Sequence, residues 1–112
     1  MEDIKNKEDC IFCKIVSGEI ASDKVYETDN FIVINDAHPE TPGHCLILAK
    51  KHYATLLDMP DTLGGELIKL AKQQALRLIN EKKATGFNFN QNNFQSAGQV
   101  IPHAHFHIIP RK

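Results

Sequence analysis

Hydrophobic and polar positions alternate most strictly at the end of the chain, through His103-Ala104-His105-Phe106-His107-Ile108-Ile109-Pro110. A period of two is strand periodicity, so the three imidazoles are expected on one face, with Ala104, Phe106 and Ile108 on the other. Successive rings would leave such a strand about 6.6 Å apart. Upstream, residues 10–16 predict a short helix or turn ended by Ser17-Gly18. Residues 25–28 and 31–34 predict two strands joined at Asp29-Asn30, a hairpin-type turn. Residues 36–43 hold Pro39, Pro42 and Gly43 and predict a loop, and residues 44–49 are apolar enough for a central strand.

The pattern then changes period. Asp58-Met59-Pro60-Asp61 carries helix-start signals, with acids near the positive end of the macrodipole and proline in the first turn. Leu63, Leu67, Leu70, Ala71 and Leu78 recur at helical spacing to about residue 83, widened by Ile68, Ala75 and Ile79, while Lys69, Lys72, Gln73 and Arg77 fall mostly outside the stripe. Gly86 is the expected stop. Residues 87–90 alternate again as a fourth strand, and a polar loop, 91–99, leads into the histidine strand. Sequential strands interrupted by one long helix, without regular βαβ alternation, predict an α+β fold: an antiparallel sheet of about five strands with one long and one short helix.

Length and charge narrow the function. The 112 residues suffice for a single core, expected over residues 10–112, with residues 1–9 as a polar, flexible tail. A net charge of −1 provides no general attraction to nucleic acid or to a membrane surface, so neither is an expected partner. The first residues contain no apolar run, and a signal peptide or anchor is not expected. Three cysteines, an odd number, argue against a disulfide framework and for a reducing cytoplasm.

The candidate chemistry is local. Imidazole can act as nucleophile, general acid or base, or metal ligand. Beside the histidine strand, Asn92, Asn93, Gln95, Ser96, Gly98 and Gln99 form an amide-rich loop suited to phosphate oxygens. Cys10-x-x-Cys13 supplies two thiolates at a spacing zinc uses, but a tetrahedral structural site needs two more ligands. A redox pair and two buried cysteines are the alternatives. The three histidines could also share a metal among themselves. Cys45 is expected in the core and His38 in an exposed loop.

Taken together, these segments resemble the histidine triad family, in its nucleoside-phosphoramidase-like branch. His103 to Ile109 matches the His-x-His-x-His-apolar-apolar signature. Cys10-Ile11-Phe12-Cys13-Lys14-Ile15, Thr41-Pro42-Gly43-His44, Lys50-Lys51-His52, Asn92-Asn93, Ala97-Gly98-Gln99 and Ile109-Pro110-Arg111 fit in the expected order. The resemblance implies a homodimer with paired sheets and a hydrolase or transferase acting at the α-phosphate of a purine nucleoside 5′-phosphate derivative. His105 would attack phosphorus to give a covalent nucleotidyl-histidine. His107 would donate to the phosphate, His44 would assist proton transfer near the leaving group, and Asn92 would polarise the phosphate site, helped by backbone groups near Gln99 and Val100. Asp36 would hold the ribose, and Ile11, Phe12, Ile15, Ile32 and Ile34 would enclose the base. It further implies a structural zinc on Cys10, Cys13, His52 and His103, with no organic cofactor. A nucleotide-binding or interaction protein of little activity, or a dinucleoside polyphosphate hydrolase, are the alternatives. Three features depart from the family pattern. Phe94 stands where relatives usually have glycine, so the loop path or substrate access is expected to differ. Val100 replaces a residue often bearing a hydroxyl. The sequence stops at Lys112, where some relatives extend toward the partner's site.

Overall fold

The computed structural model describes residues 9–112, so all but Asp9 of the expected tail lies outside the described residues. Helix α1 spans Ile11–Ser17. Its N-cap Cys10 accepts the Cys13 N–H on sulfur, and Gly18 ends it in the left-handed region at φ 85°. Strands β1 (Lys24–Glu27), β2 (Phe31–Asn35) and β3 (Cys45–Ala49) form an antiparallel meander. Helix α2 (Gly64–Asn80) crosses to β4 (Gly86–Asn90), and β5 (His105–Arg111) inserts between β3 and β4. The sheet order is β1-β2-β3-β5-β4, antiparallel throughout. Among the described residues, the α+β architecture expected from the pattern, five strands with one long and one short helix, is the one observed.

Both faces of the sheet are covered, which explains why β2 and β3 are apolar at nearly every position. On one face Phe31, Val33, Cys45, Ile47, Phe106 and Ile108 pack against Leu67, Leu70, Ala71 and Leu78 of α2. On the other, Ile32, Ile34, Leu46 and Leu48 pack against Cys10 and Phe12 around α1. Each large aliphatic side chain so buried contributes roughly 1.5–3 kcal/mol. Cys45 is fully buried in the first cluster, as expected, and burial raises its thiol pKa to about 11.

Three local expectations are corrected. The long helix does not start at Asp58: that carboxylate closes a capping box with Thr55 on a separate 3₁₀ turn, Leu56–Asp58, accepting from the Ala54 and Thr55 N–H groups. A second 3₁₀ turn, Asp61–Leu63, precedes α2. Gly86 does not stop the helix either. Lys82 takes the left-handed position at φ 62°, and paired bonds from Lys83 N to Leu78 O and from Lys82 N to Ile79 O make the Schellman pattern. Finally, Ile68 and Ile79 do not widen the buried stripe; they are exposed.

At the opposite end of α2, the Glu66 carboxylate accepts from Thr28 Oγ1 (2.6 Å) and Asn30 Nδ2 (2.8 Å), tying the β1–β2 turn to the helix. Among the described residues no helix is long and apolar enough to cross a membrane.

Candidate active site and metal centre

Strand β5 begins at His105, not His103. His105 and His107 keep the predicted alternation and share a face, while Phe106 and Ile108 point into the α2-side core. His103 precedes the strand and is fully buried. It belongs to a different constellation.

That constellation is Cys10, Cys13, His52 and His103, whose donor atoms all lie within 4.8 Å of one another. Cys10 Sγ is 3.2 Å and Cys13 Sγ 3.4 Å from His103 Nδ1, and Cys13 Sγ is 3.1 Å from His52 Nδ1. Tetrahedral zinc would set sulfur and nitrogen ligands about 3.5 Å apart, so the four atoms need only small adjustments. The donors are in the right state as well. Burial lowers the His103 pKa to about 4, so its ring is neutral at pH 7. Its Nε2 is 2.6 Å from the Ala49 carbonyl oxygen and must donate to it, which leaves a lone pair on Nδ1 facing the sulfurs. The donor set and its bracing fit a structural metal. A metal shared by the three triad rings does not fit, because His103 Nδ1 is directed to the cysteines and His105 Nδ1 to a carbonyl.

His105 and His107 line a cavity of about 1060 Å³ on the α1 side of the sheet. The His105 Nδ1 is 2.7 Å from the His103 carbonyl oxygen and donates to it, so the unprotonated nitrogen of the neutral ring is Nε2. Burial lowers the pKa of His105, favouring that neutral ring. The Phe12 ring stacks edge-on against it, 4.9 Å between centroids, and fixes its plane.

His44, immediately before β3, is buried beside His107. Its Nδ1 accepts the Glu40 N–H at 3.1 Å and therefore carries no proton. The proton is on Nε2, which lies 2.9 Å from His107 Nδ1 and 3.4 Å from Asp36 Oδ2. His107 accepts it, and so holds its own proton on Nε2. Burial, then the neighbouring His105 and His44, lowers the His107 pKa, while Asp36 and Glu40 oppose the shift. The tautomer that holds His44 Nε2 protonated also disfavours a metal at the Asp36–His44–His107 group, although those donor atoms are close.

The other expected site residues divide. Asp36, Asn92, Val100, Ile11, Phe12, Ile15 and Ile34 line the same cavity. Ile32 does not; it is buried in the core beneath α1. Gln99 does not line it either. Its buried side chain accepts from Phe94 N (2.7 Å) and donates to Ala54 O (2.6 Å) and Ile101 O (3.1 Å), and its own N–H donates to Phe94 O. Gly98 supplies the wall in its place, with Asn92 packed close above it. Phe94 adopts φ 72°, ψ 156°, a conformation normally reserved for glycine. His38 is exposed as expected, yet it lines the cavity. Sequence reasoning missed Leu46, Asp23 and Asn35. Leu46 is signalled only by its register opposite His107, and Asp23 and Asn35 by nothing short of the fold.

A sheet carrying two cavity-facing imidazoles from its fourth strand in spatial order, next to a Cys₂His₂ cluster, defines a class, and the comparisons with known proteins agree on which. The HIT domain model matches residues 17–112. An uncharacterised HIT-like protein of Methanocaldococcus jannaschii is 41% identical over 102 residues, covering 91% of this chain and 78% of the relative. Adenosine 5′-monophosphoramidase HNT1 of Candida albicans is 41% identical over 107 residues, covering 92% and 70%. The crystal structure of a zinc-bound histidine triad family protein from Mycobacterium smegmatis aligns with a TM-score of 0.89 at 32% identity, covering 96% of this chain and 78% of that one. The chain belongs to the HIT family.

Proposed function

We propose that this protein hydrolyses purine nucleoside 5′-phosphoramidates or related nucleotide adducts at the α-phosphate, with His105 as nucleophile. The observation that carries the reading is the hydrogen bond from His105 Nδ1 to the His103 carbonyl, which makes Nε2 the ring's nucleophilic atom beside a large cavity. His105 Nε2 forms a bond to phosphorus as the bond to the leaving amine breaks, and the amine departs with a proton taken from solvent, which the attacking water of the second step returns. Water then attacks phosphorus, the nitrogen–phosphorus bond to His105 breaks, and a nucleoside 5′-monophosphate is released with the imidazole restored. His107, with its proton on Nε2 and Nδ1 occupied by His44, supplies an N–H to the phosphate oxygens or the leaving group. Asn92 adds amide donors at the same end, and Asp36 accepts from the ribose hydroxyls.

Residues 10–112 act as one domain in this reading. Cys10, Cys13, His52 and His103 hold a zinc ion, which contributes rigidity and takes no part in the reaction. The related zinc-bound structure supports that assignment. Homodimer formation is supported by the open edge at β4 and by exposed apolar side chains at Phe87, Phe89, Ile68, Leu76 and Ile79. Three cysteines, none in a disulfide, suit a reducing compartment such as the cytoplasm.

Incubation with a slowly hydrolysed nucleoside phosphoramidate, followed by intact-mass measurement, tests the mechanism. One nucleotidyl group should appear on the wild type and none on His105→Ala. An adduct that persists in His105→Ala overturns it. One observation favours a second reading, a nucleotide binder of low turnover: Val100, 88% exposed at the cavity rim, offers no hydroxyl to the leaving group. Tight monophosphate binding without measurable turnover would select that alternative.

A further inference from the structure

Phosphate and ribose are common to all ribonucleotides, so a HIT-type cavity distinguishes substrates at its base end. Here that end carries Ser22 and, next to it, a pair of polar side chains that hold each other, Asp23 and Asn35, among the lining residues. They are joined twice. Asn35 Nδ2 donates to Asp23 Oδ2 at 2.8 Å, and the Asn35 backbone N–H donates to the Asp23 carbonyl at 2.9 Å. The carboxylate, though exposed, is therefore held in one place against the end of β2.

The sheet register gives its distance from the chemistry. His107 pairs with Leu46, Leu46 with Ile34, and Ile34 with Lys24, the residue after Asp23. Asp23 thus lies three strand spacings, about 14 Å, across the sheet from His107. Ile34 and Leu46 line the cavity between them, and Phe12 and Ile15 close it from α1. A mononucleotide laid along this path, with phosphorus at His105 and ribose at Asp36, would carry its purine over the apolar floor and could turn its Watson–Crick edge toward Asp23.

We propose that Asp23, braced by Asn35, is a specificity-determining residue that selects guanine over adenine. The inference rests on the nucleotide reading above. An ionised carboxylate offers only acceptors, and one oxygen keeps free lone pairs while the other takes the Asn35 amide. Guanine presents two adjacent donors, N1–H and the N2 amino group, which meet a carboxylate side by side. Adenine presents its N6 amino group beside the N1 lone pair, which faces the same carboxylate with like charge density. Hypoxanthine keeps N1–H and lacks the amino group. The Asn35 Oδ1, also an acceptor, strengthens the same preference.

Calorimetric titration of the intact protein with GMP, IMP and AMP tests the assignment. The wild type should bind GMP about tenfold more tightly than AMP, with IMP between them, which is the scale of one charge-assisted hydrogen bond at an exposed site. Asp23→Ala should bind GMP and AMP within about twofold of each other. Removing the charge can raise the affinity of every phosphate, so the ratio is the quantity that decides. Asp23→Asn, which preserves shape, controls for altered packing and should also lose the preference. Equal binding of GMP and AMP by the wild type, or a preference that survives in Asp23→Ala, overturns the inference while leaving the nucleotide reading intact. No binding of any of the three overturns the nucleotide reading, and this inference with it.

Discussion

The ring of His105 leans on the main chain of His103: its Nδ1 donates to the carbonyl oxygen two residues earlier at 2.7 Å. His103 is itself clamped, with Nε2 on the Ala49 carbonyl and Nδ1 between two cysteine sulfurs. The proposed nucleophile is thus oriented by a residue whose side chain belongs to the proposed zinc site, and the two sites are joined through one peptide unit.

That coupling predicts a joint loss. Metal analysis of the purified protein should find one zinc per chain, and Cys13→Ser or chelation should lower Tm by about 10 °C, the effect of losing roughly 2 kcal/mol in a domain of this size. Well below the new Tm, kcat should fall while the affinity for a nucleoside monophosphate changes little, because the ring's aim is disturbed and the cavity is not. Full kcat in a metal-free, folded protein would break the link.

Phe94 holds a backbone conformation that costs about 1–3 kcal/mol in any residue but glycine. Its side chain is 36% exposed and returns part of that by burial. Phe94→Gly removes the strain and Phe94→Ala does not. In urea unfolding, Phe94→Gly should therefore exceed Phe94→Ala in stability by about 1 kcal/mol. The reverse order, which intrinsic glycine flexibility would give, would remove the strain from the account.

Gly43 has φ +95°, and a Cβ built there would meet Leu78 Cδ2 at 2.9 Å and Pro110 Cγ at 3.3 Å. Gly43→Ala combines a left-handed penalty with a clash against the α2 core and should destabilise by about 2 kcal/mol or more. Because His44 follows directly, the substitution should also lower kcat. A Tm unchanged within 2 °C would contradict the packing described.

Glu66 titrates below the usual carboxyl range, chiefly because Asn30 and Thr28 donate hydrogen bonds to its ionised form. A carboxyl whose folded pKa is depressed stabilises the fold above its unfolded pKa of about 4.3, and that contribution disappears as pH falls through the lower folded value. At pH 7 the wild type should be more stable than Glu66→Gln, by at most about 1 kcal/mol at this partly exposed site. The difference should close on acidification below about pH 4. A gap independent of pH between 7 and 3 would mean that charge is not involved.

Much of this architecture was legible in residue order, where the deciding interactions are local. Alternation placed His105 and His107 on one face, and Leu67, Leu70, Ala71 and Leu78 marked the buried side of α2. What could not be seen depended on distant partners. His103 leaves the strand because its ring meets Cys10, 93 residues away. Asp58 resembles the start of a long helix, and only its bonds to Ala54 and Thr55 show that it closes a shorter turn. Ile32 and Ile34 lie two residues apart on the same strand face and belong to one buried cluster, yet only Ile34 also lines the cavity. Gln99 looked like a phosphate donor because amides in glycine-rich loops often are; its actual acceptors belong to Ala54 and Ile101.

That glutamine has a consequence for access. Bolted to both Ala54 and Phe94, the segment bounding the reactive end is masonry and no swinging door. An incoming molecule would therefore meet a doorway already cut, with the solvent-facing Val100 on its sill.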